Sequence, residues 1–389
     1  MVDFNLSSLQ EDLRLEIREF CEQFPAVYWR KKDAESAYPH EVVEALTEAG
    51  YLSTLIPQSY GGMGLGLTES SIILEEINRS GGNSGAFHGQ MYIMGVLLRH
   101  GSDAQKKTWL PRIANGTLRL QAFSVTEPEA GSDTTRIRTF ARREGDDYVI
   151  NGHKNWTSRV EQSDLMLLLA RTSPLEEDSR THGLSIFLVD LREARKQNGA
   201  LRVKPVNTMM NYETYQVTYE EMIVPAENLI GEAGHGFGYI IDGWNAERIL
   251  LAAECIGDGH WFIDTANAYA IKREVFDVPI GKNQGVQFPL ARAYADLSAA
   301  DLIRYKAAWL FDRGESCGAE ANMAKLLASD VSWKAANMCL DTHGGYGFVD
   351  EFDIERKFRE TRLYQVAPVN NNLILSYIAT HVLGLPRSY

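Results

Sequence analysis

A glutamate at position 247 interrupts a run of apolar side chains. Between Phe237 and Ala253, residues Phe237, Ile240, Ile241, Trp244 and Leu251 recur at helical spacing and mark a buried stripe. Glu247 stands three residues after Trp244, seven after Ile240 and four before Leu251, so it projects from that stripe. A carboxylate in a low-dielectric interior resists ionising and its pKa climbs toward neutrality. That is the condition a general base working near pH 7 needs. The same spacing fits a Glu247–Arg248 pair at the edge of the stripe with its charges reaching water. Spacing alone leaves both readings open.

A second stretch with chemical potential is Gln121–Asp133, QAFSVTEPEAGSD. A β-favouring run through Ala122, Phe123, Val125 and Thr126 stops at Pro128, which has no N–H for a ladder. The small residues Ala130-Gly131-Ser132 then let a backbone approach something flat or bulky, although they also mark ordinary loop punctuation. Glu144–Asp147 reads as a hairpin turn leading into Tyr148–Ser158, YVINGHKNWTS. The glycine run Tyr60–Gly66 is not GxGxxG and does not open a βαβ unit, so it reads as a connection between helices. Ser80–Gln90 starts a helix of small residues in which His88 and Gln90 are either pocket groups or hydrogen-bonded interior ones.

The elements that must carry these residues fall into three blocks. Residues 1–118 are helical by periodicity, with Leu9, Leu13, Ile17 and Phe20 on one face and Val42, Val43 and Leu46 on another. Residues 119–233 switch to period two, with strands at 164–171, 183–191, 201–205 and 214–219, and read as an antiparallel β domain. Residues 234–389 return to helix, near 235–272, 287–313, 318–343 and 370–384, joined by short turns as in a four-helix bundle. The fold class is α+β, mostly α. A length of 389 residues with 44% hydrophobic and 23% charged content suits a globular chain of several domains. The net charge of −13 argues against nucleic acid or an anionic membrane as the main partner.

Cys21, Cys255, Cys317 and Cys339 form no CxxC and no metal-ligand spacing. Cys255 and Cys339 lie in apolar helical runs, which suggests buried thiols in a reducing compartment. No apolar run is long enough for a membrane span. The N-terminal MVDFNLSSLQEDLRLEIREF is an acidic amphipathic helix unlike a targeting peptide. The bacterial cytoplasm is the expected location, or the mitochondrial matrix for a mature eukaryotic chain.

Together, Val125–Asp133 (VTEPEAGSD) and Tyr148–Ser158 (YxINGxKxWTS) resemble the acyl-CoA dehydrogenase family, and the helix–β–helix order extends the resemblance over the whole chain. The resemblance implies FAD as cofactor, with Phe123, Val125 and Thr126 on one strand and Trp156 and Ser158 on the next against its ring. Arg273-Glu-Val-Phe276 through Gln284 and Gln287 is similar to the family's RxxFGxxIxxxQxxQ, so Arg273, Phe276 and Gln284 would reach the diphosphate and adenosine across a subunit interface. Asp277 replaces the usual Gly there. Asp341, Gly344 and Gly345 match a QxxGGxG helix end, with Asp341 in place of Gln. Asn370 and Asn372 fall near the adenine half. Ser132, Asn245 and Arg248 match positions near the acyl-CoA.

Most of the family carries its catalytic glutamate in a C-terminal loop, where this chain has Pro368 in Tyr364–Asn370. A branch including isovaleryl-CoA and long-chain types carries it on the bundle helix directly before an Arg, as in Glu247-Arg248. Glu247 would then take the α-proton while the β-hydrogen leaves to the flavin. Pro368 also lacks the backbone N–H that holds the thioester carbonyl in the family. The resemblance implies an acyl-CoA dehydrogenase, a homotetramer passing electrons to an electron-transferring flavoprotein. Alternatives on the same fold are a 2-enoyl-CoA reductase, a non-catalytic flavin-binding subunit, and a flavin oxidase or monooxygenase. Asn83 stands where glutaryl types have an arginine, and a short branched or bulky acyl group suits the bundle-helix base.

Overall fold

The computed structural model describes residues 6–211 and 213–388. The first five residues of the expected N-terminal helix lie outside the described residues. Six helices come first: α1 (Ser8–Glu22), α2 (Ala26–Ala34), α3 (His40–Glu48), α4 (Leu67–Arg79), α5 (His88–His100) and α6 (Asp103–Ala114). Helix α1 starts on a capping box in which Ser7 and Gln10 satisfy each other's amides. Its face of Leu13, Ile17 and Phe20 is buried as the periodicity predicts, while Leu9 is 53% exposed. Helix α4 follows Gly66, which has no side chain to cap with. The carboxylate of Asp312 accepts from the amides of Leu67 and Thr68 at 2.6 and 3.0 Å, and from the Thr68 hydroxyl.

The sheet contains β1 (Leu120–Ser124), β2 (Phe140–Glu144), β3 (Asp147–Ser158), β4 (Leu165–Arg171) and β5 (Leu184–Asp190). A short helix, α7 (Leu191–Ala194), precedes β6 (Leu201–Val206), β7 (Thr214–Pro225) and β8 (Leu229–Ile230). The strand order is β6-β7-β3-β2-β4-β5-β8, with β1 added beside β4. Antiparallel pairing dominates, but β1 runs parallel to β4, and β2 meets β4 in parallel at Phe140–Arg171, so the expected purely antiparallel sheet is mixed. Every residue of β4 is buried. Leu165, Leu167 and Leu169 pack on the core of the N-terminal helices, while Met166, Leu168 and Ala170 face the other side with Phe187 and Val217. A strand covered on both faces reads as a continuous apolar run.

The remaining elements are α8 (Gly236–Lys272), β9 (Glu274–Val275), β10 (Val278–Pro279), α9 (Gln284–Asp312), α10 (Gly318–His343), α11 (Ile354–Arg362) and α12 (Asn371–Tyr377). The expected helix over 370–384 is α12 followed by a π turn at Ile378–Val382. Helix α11 was not expected. It buries Arg356, Lys357 and Glu360, and a charged buried face leaves no apolar periodicity to read. Arg356 bonds Glu360 and the Gly81 carbonyl, and Lys357 bonds Asp258 and the Gly82 carbonyl, tying α11 to α8 and to the turn after α4. Buried ions also join α4 to α9, where Arg304 bonds Glu75 at 2.5 Å and Asp301. All four cysteines are buried and free. No described helix is long and apolar enough to cross a membrane.

Candidate active site

The segment after β1 is fixed from behind. Lys154 on β3 is fully buried and donates to the Val125 carbonyl at 2.6 Å and to Glu127 Oε1 at 3.0 Å. Glu127 also accepts from the amides of Arg138 and Thr139. Burial opposes the charge on Glu127, but Lys154 and these amides outweigh it and hold the carboxyl below its usual range. Burial brings the Lys154 ammonium down to about 8, against the pull of Glu127. The amide of Asn155 donates to the Thr126 carbonyl at 2.8 Å. Behind this wall Ser124 bonds Thr157 and Tyr219. The expected wall residues Phe123, Val125, Thr126, Trp156 and Ser158 are all at least partly exposed on these two locked segments. Trp156 is 56% exposed and adopts φ +61°, where β3 slips register against β7 between Lys154 and Thr157. Such a bulge re-aims a side chain.

Glu247 is 5% exposed on α8, as its place in the stripe predicts, although Ile241 of the same stripe is 40% exposed. Burial raises its carboxyl to about 7, opposed by the charge of His88, a hydrogen bond from Tyr92 and the charge of Arg248, while Glu254 adds to the rise. The alternative of a Glu247–Arg248 pair reaching water does not occur. Arg248 is 9% exposed, donates through Nη1 to Asn245 Oδ1 at 3.1 Å, and its Nε meets no acceptor among the described residues. His88 and Gln90 are both buried on α5, and His88 Nδ1 lies 2.6 Å from Glu254 Oε1.

The loop around Pro368 is held by Lys325 of α10. Its Nζ donates to the Val369 carbonyl at 2.7 Å and to Asn371 Oδ1 at 2.8 Å, and burial lowers it to about 8. Asn370 caps α12 through the Leu373 amide and donates to Ser132 Oγ at 3.0 Å. A residue expected near the adenine half and one expected near the acyl-CoA thus touch directly. Asn372 is exposed on α12.

A separate depression gathers Arg273, Asp341, Gly344 and Gly345 with Tyr269 and Tyr346. No described residue lies within 4 Å of where a Cβ would stand at Gly344 or Gly345, so the backbone there is open to approach. Phe276 and Asp277 link β9 to β10 with φ of +53° and +61°, the two-residue turn of a tight hairpin. Phe276 is 94% exposed, and Gln284 is exposed at the start of α9. Among the described residues no His/Cys/Asp/Glu cluster could hold a metal. Sequence reading did not single out Glu254 or Lys325, nor Lys154 beyond its place in the motif. Its signal was a lysine on the inward phase of β3, in line with Tyr148 and Ile150.

Family models cover nearly the whole chain. The acyl-CoA dehydrogenase N-terminal domain matches residues 7–117, the middle domain 122–222 and the C-terminal domain 234–383. The chain is 32% identical to acyl-CoA dehydrogenase FadE12 of Mycobacterium tuberculosis, over 98% of each chain. It is 33% identical to the 3-(aryl)acrylate reductase of Clostridium sporogenes, over 96% of this chain and 98% of that one. Among solved structures it is similar to glutaryl-coenzyme A dehydrogenase in its glutaryl-CoA complex, with a TM-score of 0.91 and 28% identity over 100% of this chain and 98% of that one.

Proposed function

The chain belongs to the acyl-CoA dehydrogenase family, and we propose that it dehydrogenates an acyl-CoA thioester between the α and β carbons with Glu247 as the base. The observation that carries this reading is a buried carboxyl with a pKa of about 7 on α8, in a chain whose C-terminal loop has Pro368 where a glutamate would stand. A thioester α-proton is weakly acidic. A carboxylate stripped of water is a stronger base toward it than one in solution, and near pH 7 it is still substantially ionised. Arg248, buried with one nitrogen unpartnered, supports a polar part of the substrate beside the base.

The residues fit FAD. The open backbone at Gly344 and Gly345 with the exposed Arg273 guanidinium suits a diphosphate. Trp156 and Phe276 offer exposed aromatic surface. Phe123, Val125, Thr126, Trp156 and Ser158 would hold the ring side. Arg273, Phe276, Gln284, Asp341, Gly344, Gly345, Asn370 and Asn372 would hold the rest, some of them from a second copy in a homotetramer. FAD, when bound, supplies the acceptor for the β-hydride. An electron-transferring flavoprotein would take the electrons onward.

The test is anaerobic titration of the flavin-loaded protein with a panel of acyl-CoA thioesters, comparing wild type with Glu247→Gln. We expect at least one thioester to bleach wild type, and Glu247→Gln to be slower by about 10²- to 10⁴-fold. Equal bleaching by the variant removes Glu247 from the role of base. A second reading, reduction of a 2-enoyl-CoA, is supported by the 33% identity to a 3-(aryl)acrylate reductase. Failure of every saturated thioester, with reoxidation of the reduced protein by an enoyl-CoA, would favour it.

A further inference from the structure

Helices α5 and α8 meet through two polar rungs. In one, Tyr92 hydrogen-bonds Glu247. In the other, His88 Nδ1 meets Glu254 Oε1 at 2.6 Å, with His88 4% and Glu254 0% exposed. His88 and Tyr92 are one turn apart on α5, and Glu247 and Glu254 two turns apart on α8, so both rungs share one contact face. The His88 and Tyr92 ring centroids are 5.8 Å apart. Burying an ionisable pair between two helices is costly, and apolar side chains of similar volume would fill the space as well or better. The pair therefore calls for a use.

Resting on Glu247 as the base, we infer that His88, oriented by Glu254, is a positioning residue that keeps Glu247 ionised and aligned for proton removal. Glu254 engages Nδ1 and so fixes the ring, as a carboxylate does behind a working imidazole elsewhere. The histidine lies on the Glu247 side of the pair, because its ring stands beside that of Tyr92, the residue that bonds Glu247. The other groups facing Glu247 are Tyr92 from α5, Arg248 from its own helix and Lys325 from α10. Arg248 is engaged by Asn245, and Lys325 is committed to Val369 and Asn371.

Two readouts test this on flavin-loaded protein. The carboxylic-acid C=O stretch of Glu247, identified by its loss in Glu247→Gln, is followed by infrared titration without substrate. The pH dependence of thioester-driven bleaching is measured beside it. In His88→Asn both midpoints should move up by roughly one pH unit, because a group favouring the carboxylate is gone. Bleaching of Glu247→Gln at the wild-type rate would sink the base reading itself. A dead Glu247→Gln with an unmoved midpoint in His88→Asn would overturn only the present inference and leave the pair as a packing feature. His88→Gln is measured in parallel, and flavin content and thermal midpoint decide which histidine variant is folded. If neither retains flavin, Glu254→Gln decides by the same infrared titration: loss of the Glu254 charge alone would lower the midpoint, so a raised midpoint supports the positioning role and an unmoved or lowered one overturns it.

Discussion

In an unfolded chain a glutamate ionises near a pH of about 4.3, whereas burial keeps Glu247 partly protonated up to about 7. Between these values the folded state binds more protons than the unfolded one. Stability therefore falls as pH rises through that window and levels off above it. Glu247→Gln should be more stable than wild type at pH 8, by no more than about 4 kcal/mol, with the difference vanishing below a pH of about 4. Thermal unfolding of both proteins across this range checks it, and an equal melting temperature at pH 8 would deny that the carboxyl is strained. Glu247 was legible in the sequence because a charge on an apolar stripe is a local contradiction. The lock between Lys154 and Glu127 was not, because its partners are 27 residues apart and the pairing exists only once β3 lies behind the segment after β1.

At the scale of elements, the bulge in β3 places Trp156 in a left-handed conformation that favours glycine. Trp156→Gly should relieve backbone strain of about 1 kcal/mol while removing aromatic surface from the flavin wall. We expect an unchanged or raised melting temperature of the flavin-free protein together with at least about tenfold weaker FAD binding. Unchanged flavin affinity, read by equilibrium titration, would remove Trp156 from the wall. The long helices α8, α9 and α10 were disclosed by their length and apolar content, and the strands by alternation or, in β4, by a continuous apolar run. Such patterns missed the parallel pairing of β1 with β4, which depends on register between distant segments, and they missed α11, whose buried face is Arg356, Lys357 and Glu360.

At the scale of the molecule, the helical, β, helical order was readable from composition shifts, but the union of the first and last blocks was not. Arg304 of α9 is fully buried against Glu75 of α4 and Asp301, and Arg14 of α1 reaches Glu75 as well. Arg304→Met leaves those carboxylates without their cation and should cost about 3–5 kcal/mol. A denaturant midpoint close to wild type would show the network to be dispensable. The cap on α4 has a consequence for synthesis. Asp312, which satisfies the first amides of α4, is made 245 residues after Leu67. At about 5–20 residues per second, a ribosome needs roughly 12 to 50 s to supply it. Until then α4 emerges with an uncapped start and a charged face that has no Arg304 to meet. The nascent N-terminal third must wait, exposed, for the last third of its own chain.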